Sequence, residues 1–248
     1  MISHSEYIRT KGSDIAVLMI HGIVGSPAHF RKLTDAIPDD WTLHNILLDG
    51  HGKSVKDFGK SSMKKWKAQV SAKLKELSKT HNKIFIVAHS MGTLFAINEA
   101  ILHPDKIAGL FLLSVPTRPH VRFSTMITSV KAMLGKDGED VLRLLNDTSV
   151  ALEKYPWKYL SWIPRYIELL TEIHRTRKLL PQLSVKSKAF QSKIDELVSF
   201  RSVKDLEDHP NIKTYVLYNS GHFDYGDDDT ELLRAELKKS IDEIKLGS

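Results

Sequence analysis

The sequence predicts an α/β fold: a mostly parallel central sheet with helices on both faces and a helical cap inserted late in the sheet. Three observations point there. Short runs that are apolar save for Ser114, Ile15 to Ile20, Ile84 to Ala88 and Ala108 to Val115, alternate with stretches of helical periodicity. Strands without a polar face are buried on both sides, as parallel sheets require. The 248 residues, 42% hydrophobic and 27% charged, are enough for one sizeable core and too few for two catalytic domains. From Pro116 to about Val185 the strand rhythm stops, and the chain reads as helices broken at Pro119, Gly135, Pro156, Pro164 and Pro181. The expected organisation is a core of residues 1–115 and 186–248 with a cap of residues 116–185.

Taken in order, a polar lead-in precedes the strand at Ile15, and the loop His21-Gly22-Ile23-Val24-Gly25-Ser26-Pro27 follows it. Ser26 suits an N-cap and Pro27 the first turn of a helix running to about Ile37. Trp41 to Leu48 reads as the next strand and Asp49-Gly50-His51-Gly52-Lys53-Ser54 as its loop. The Gly-Lys-Ser in that loop is not a phosphate loop, because the required glycine five residues before Gly52 is Leu47. Met63, Trp66, Val70, Leu74 and Leu77 lie at helical spacing among lysines, and a later helix stops before Pro104. Beyond the cap come a polar strand at Lys188 to Ser192 and another strand at Thr214 to Tyr218. The closing helix carries Leu233, Leu237, Ile241 and Ile244.

The chemistry centres on Ala88-His89-Ser90-Met91-Gly92. Among all serines only Ser90 has glycine two residues later, and it alone joins an apolar strand to a helix. Small residues on both sides of a serine permit the sharp corner called a nucleophile elbow, where the hydroxyl projects beside free helix-terminal N–H groups. A serine needs a base and a group to orient that base. His222 follows a strand in a small-residue turn, and Asp195 lies in the loop after the preceding strand. Asp205 and Asp208 belong to a helix and its exit, and Asp224 lies beyond the histidine. Alternation along the strand points His89 away from Ser90, and a turn-stabilising role suits His21. Ester chemistry at Ser90 would also need two amides aimed at the developing oxyanion, and the N–H groups of Ile23 and Met91 are best placed. In the cap, Trp157, Tyr159, Trp162 and Tyr166 either line a substrate pocket, Trp157 and Trp162 foremost, or pack the cap on itself.

Composition narrows the partners. The absence of cysteine excludes disulfides and thiolate sites, and no apolar leader or membrane-length run occurs, so a cytoplasmic location is expected. The net charge of +6 raises polyanions as partners. The lysines are nevertheless scattered, and the densest group, Lys64 to Lys79, forms the solvated face of an amphipathic helix. Neither nucleic-acid binding nor stable membrane insertion is expected. Oligomeric state is not legible.

These motifs, with Asp195-Glu196-Leu197-Val198 and Asn219-Ser220-Gly221-His222, resemble the α/β-hydrolase fold superfamily. Within it they resemble the bacterial carboxylesterase and monoacylglycerol lipase-like group. The order Ser90, Asp195, His222 matches that family's triad, and the likeness runs from about residue 15 to 245, the cap carrying no matching motif. Ala88 departs from the usual glycine, and the strand before Asp195 is unusually polar. The resemblance implies cleavage of a small-molecule carboxylic ester, such as a short- to medium-chain acyl ester or a monoacylglycerol, through an acyl-enzyme and without a cofactor. Thioesterase, peptidase and carbon–carbon bond hydrolase activities fit the same triad, and a ligand-binding protein on a hydrolase scaffold is the alternative of another class.

Overall fold

Ile15 to Ile20 has no polar side chain to offer water on either face. In the computed structural model, which describes residues 4–120, 138, 148–151, 153 and 155–247, it is strand β2 (Ile15–Ile20), buried at every position. Its alternate residues feed two apolar layers. Ala16, Leu18 and Ile20 pack with Trp66, Val70 and Phe95 on one face. Ile15, Val17 and Met19 pack with Phe30, Leu33, Leu233 and Leu237 on the other.

The remaining strands are β1 (Tyr7–Arg9), β3 (Thr42–Ile46), β4 (Lys83–His89), β5 (Ile107–Leu113), β6 (Ser187–Ser192) and β7 (Ile212–Leu217). They form one sheet in the order β1-β3-β2-β4-β5-β6-β7. Every neighbouring pair is parallel except β1 with β3. Among the described residues the α-helices are α1 (Arg31–Thr34), α2 (Val55–Gly59), α3 (Met63–Leu77), α4 (Met91–Leu102), α5 (Ile163–Leu179), α6 (Val203–Leu206) and α7 (Asp227–Leu246). The chain leaves β2 for β3 on one side and returns to β4 on the other. The carboxyl ends of β2 and β4 therefore flank a switch point, where loops diverge and a crevice opens.

Two local readings are corrected. The lead-in contains β1, an edge strand whose Tyr7 and Ile8 are half exposed, so no apolar pattern marks it; Arg9 secures it through Pro38 O at 2.6 Å and Asp39 at 2.9 Å. The helix after Ser26 is a 3-10 turn, Pro27–Phe30, followed by the short α1, which ends at Thr34, ahead of the Ile37-Pro38 step that disfavours helical backbone. Helix α2 follows the loop of residues 49–54, and Ser54 caps it, accepting Asp57 N–H at 3.2 Å. The polar strand β6 is buried along its whole length because its polar groups are matched: Gln191 donates to Val115 O at 2.9 Å, and Lys188 meets Glu236 at 3.1 Å.

Between β5 and β6 lies the segment read as a cap, and the break read at Gly135 falls outside the described residues. Its described part holds a 3-10 turn, Pro156–Trp162, and α5. Polar contacts bind it to the core. The Trp162 indole donates to Val55 O at 2.9 Å and Arg165 to Gly59 O at 2.8 Å. Glu168 accepts Met63 N–H at 2.8 Å, and Glu172 accepts Lys67 at 2.6 Å and Asn98 at 2.7 Å.

At the switch point the contacts leave no room for a side chain at residue 92: a Cβ there would overlap the Ile20 carbonyl and stand 2.8 Å from His21 O. Both obstacles are backbone of the central strand and its exit, so neither can rotate aside. Gly92→Ala is expected to lower the free energy of unfolding by about 3 kcal/mol. Urea denaturation of the two proteins measures this, and equal midpoints would mean that β2 can recede from α4.

Candidate active site

Ser90 ends β4 and precedes α4 with φ 52° and ψ −122°, a left-handed conformation that non-glycine residues adopt only under constraint. Its amide donates to Leu113 O at 2.9 Å, and its carbonyl accepts Thr93 N–H at 2.9 Å and the Thr93 hydroxyl at 2.6 Å. The corner is thereby locked between β5 and the first turn of α4. A Cβ on Gly22 would approach Ser90 Cβ to 2.7 Å, so only glycine lets the loop after β2 run this close. Met91 opens α4, and a first-turn amide has no intrahelical acceptor.

The loops after β6 and β7 bring Asp195 and His222 to the same edge. His222 Nε2 lies 3.0 Å from Ser90 Oγ, and His222 Nδ1 lies 2.8 Å and 3.0 Å from the two Asp195 oxygens. The carboxylate fixes the tautomer: Nδ1 carries the proton donated to Asp195, and Nε2 is left to accept from the serine hydroxyl. Asp195 is 3% exposed and His222 2%. Burial alone would raise the Asp195 pKa. The charge and hydrogen bond of His222, with the amides of Val198 and Leu197, outweigh it and bring the value down to about 2. Each amide donates to Asp195 Oδ1 at 2.8 Å.

Three further buried histidines surround this relay. His21 donates through Nδ1 to Gly22 O at 2.8 Å and accepts Leu48 N–H on Nε2 at 3.0 Å, pinning the loop after β2 to the end of β3. His89 donates through Nε2 to His222 O at 2.8 Å. Burial first, and neighbouring histidines second, hold His21 and His89 well below the ordinary histidine range. Burial lowers His51 to about 4. At neutral pH all three are uncharged, so their hydrogen bonds orient the loops without adding a cation beside His222.

Ile23, 7% exposed, sits between Gly22 and the positive-φ residue Val24 (φ 50°). The turn is closed by Gly25 N–H on Gly22 O at 3.1 Å. Ser149, from the inserted segment, ties it down through Val24 O at 2.8 Å and Gly25 O at 2.6 Å. The tryptophans make their contacts elsewhere: Trp162 is buried against Phe58 at 4.5 Å, while Trp157 is 62% exposed and stacks on Tyr155. Trp162 thus packs the insertion on the core, and neither indole is brought to Ser90 by the contacts described. Asp205 is occupied by Arg118 at 2.8 Å and Arg177 at 3.2 Å.

Sequence reasoning missed Ser149, the contact of His89 with His222, and two carboxylates that act on backbone. Glu196 accepts His222 N–H at 2.7 Å, and Asp229 accepts Asn219 N–H at 2.7 Å and the Ser220 hydroxyl at 2.6 Å. Gly221 was the available signal, since its bare backbone leaves room for the Glu196 carboxylate; a Cβ there would lie 2.7 Å from Oε1. Among the described residues no group of His, Asp or Glu is arranged to hold a metal ion, and no helix is long and apolar enough to cross a membrane.

A serine at a strand-to-helix corner, answered by histidine and aspartate from later loops at the same sheet edge, defines an α/β protein with its reactive groups at a topological switch point. The chain belongs to the α/β hydrolase fold family, whose model matches residues 15–148. The thermostable monoacylglycerol lipase of Bacillus sp. (strain H-257) is 28% identical over 106 residues, which is 42% of each chain; the match spans less than half the length of that relative. A metagenome-derived lipolytic enzyme superposes with a TM-score of 0.71 at 22% identity, covering 98% of this chain and 97% of the other. Est1E of Butyrivibrio proteoclasticus, solved with ferulic acid bound, does so with a TM-score of 0.69 at 18% identity, covering 98% and 95%. The structural likenesses carry the fold.

The depressed pKa of Asp195 links the site to stability. A carboxyl whose folded pKa lies below its unfolded value stabilises the fold fully above the unfolded value, and that stabilisation fades as pH falls toward the folded one. For Asp195, with a folded value of about 2 against 3.8, the window runs from above pH 4 down to about 2. Denaturant unfolding is expected to show wild type losing about 1 kcal/mol more than Asp195→Asn between about pH 5 and about pH 3. Parallel losses in the two proteins would show that the carboxylate is not held in the folded state.

Proposed function

We propose that this protein is a serine hydrolase of carboxylic esters, acting on short- to medium-chain acyl esters or monoacylglycerols through an acyl-enzyme. The observation that carries the reading is the relay from Ser90 Oγ to His222 at 3.0 Å and on to Asp195 at 2.8 Å, which lies within the reach general-base catalysis needs. The family membership and the lipase relative support the choice of esters.

In this mechanism Ser90 Oγ attacks the ester carbonyl carbon while His222 Nε2 takes its proton. Asp195 keeps the ring in the required tautomer and stabilises the imidazolium. The carbonyl oxygen becomes an oxyanion facing the N–H groups of Ile23 and Met91. Collapse of the tetrahedral intermediate breaks the bond to the alcohol, which leaves with the proton from His222. Water then attacks the acyl-enzyme, His222 again takes and returns the proton, and the carboxylic acid departs from a regenerated Ser90. Removing one oxyanion donor typically costs about 2.7–4 kcal/mol, so the path of the Gly22–Gly25 loop matters as much as the three side chains. The insertion, bound to that loop by Ser149, supplies the remaining boundary of the substrate site.

Hydrolysis of p-nitrophenyl esters from acetate to palmitate, by wild type and Ser90→Ala side by side, tests the reading. The expected result is turnover that peaks at one acyl length and falls by at least about 10⁴-fold in the variant. Turnover retained by Ser90→Ala, or no turnover of any ester by folded wild type, would overturn it. The second outcome would direct the search to thioester, peptide or carbon–carbon substrates.

A further inference from the structure

The Asp195 carboxylate fixes the rotation of the His222 ring, but the distance from Nε2 to Ser90 also depends on where the His222 backbone sits. That backbone lies in a loop, outside the sheet ladder. Side chains hold it instead. Glu196 Oε2 accepts its N–H at 2.7 Å, and His89 Nε2 donates to its carbonyl at 2.8 Å. Upstream, Asp229 accepts the amides of Tyr218 and Asn219 at 3.3 Å and 2.7 Å. The carboxylate bond is the charge-assisted member of the pair that grips His222 itself. Gly221 makes it possible, since a Cβ would stand 2.7 Å from Glu196 Oε1 and 3.1 Å from Oε2.

We propose that Glu196 is a positioning residue for the base: through the backbone amide of His222 it sets the distance between the imidazole and Ser90. The inference rests on the serine-hydrolase reading. Asp195 and Glu196 are consecutive, so one loop holds the histidine at two points, its ring nitrogen and its main chain. Two points fix both the ring's rotation and its place, which one cannot. The loop is itself stiffened, since Asp195 Oδ1 accepts Leu197 and Val198 N–H at 2.8 Å each. Such a bond acts on the reacting geometry more than on substrate affinity, and a misplacement near 1 Å costs about 10²-fold in rate.

The experiment compares wild type, Glu196→Ala, Glu196→Asp and Glu196→Gln by steady-state kinetics on the best p-nitrophenyl ester. Each protein also gives a thermal midpoint and a proton NMR spectrum of the low-field resonance from His222 Nδ1–H. Alanine, and aspartate with its shorter reach, are expected to lower kcat by about 10- to 100-fold with KM within about twofold. Glutamine, whose amide oxygen still accepts the N–H, recovers most of kcat. The low-field resonance broadens in the first two variants and returns in the third. Wild-type kcat in folded Glu196→Ala, or a loss that glutamine does not rescue, would overturn the proposal while leaving the hydrolase reading intact. If wild type cleaves no ester, that reading fails and the resonance decides alone: unchanged in Glu196→Ala it overturns the proposal, and lost then restored by glutamine it supports it. Should alanine fail to fold, aspartate and glutamine carry the same comparison.

Discussion

The close approach of two backbones at the switch point is the constraint on which the rest of the structure depends. The loop leaving β2 passes over the corner between β4 and α4 at a separation that forbids a Cβ at residue 22 and at residue 92. Ser90, pressed between them, adopts φ 52°. The strain is sustained because the parallel pairings of β2 with β4 and of β4 with β5 fix both flanks. A hydroxyl on a flexible loop would sample many directions; here it has one. The same proximity brings Gly22, the residue before Ile23, against Ser90 Cβ.

Charge within the site is managed by burial and tautomer. Asp195 stays ionised against the cost of burial because three N–H donors, the His222 Nδ1–H shared between its two oxygens and two amides, replace the water it has lost. The neighbouring histidines go the other way: His21, His51 and His89 remain neutral and serve as dipoles between loops. Had any of them been charged, its field would oppose formation of an imidazolium at His222. A cluster that looks like a reservoir of bases in the sequence is thus a scaffold beside His222, with one nitrogen of each ring held by a main-chain carbonyl.

Legibility in the sequence followed how locally each feature is encoded. Strands β2, β4 and β5 were readable because burial on both faces leaves long apolar runs in them, and Ser90 was readable because a sharp corner demands small neighbours at fixed offsets. The edge strand β1 left no such trace, since Tyr7 and Ile8 face water. The polar strand β6 was nearly hidden: Lys188 and Gln191 are tolerated there only because Glu236 and Val115 O, distant in sequence, meet them. The backbone contacts of Glu196, His89 and Asp229 could not be deduced from spacing, because their partners are peptide groups, which every residue carries. Gly221 alone hinted that something must come close.

Helix α5 shows why the insertion is hardest to read. Periodicity would turn Ile163, Ile167 and Leu170 inward, yet these are 52%, 59% and 54% exposed. The face against the core presents Arg165, Glu168, Glu172 and Thr176, spaced three, four and four residues apart, beside Leu169 and Ile173. They engage Gly59 O, Met63 N–H, Lys67 and Asn98. Glu172 and Thr176 are 6% and 2% exposed. A helix attached by matched polar groups has its orientation set by geometry, since a rotation by one residue would leave buried donors and acceptors without partners. Apolar packing tolerates such slips far better. Helix α5 is therefore held in one register over α2, α3 and α4, and Ser149, also from the insertion, bonds the loop carrying Ile23. Reading it from sequence would require knowing the core's exposed main-chain groups in advance, and only the folded sheet supplies them.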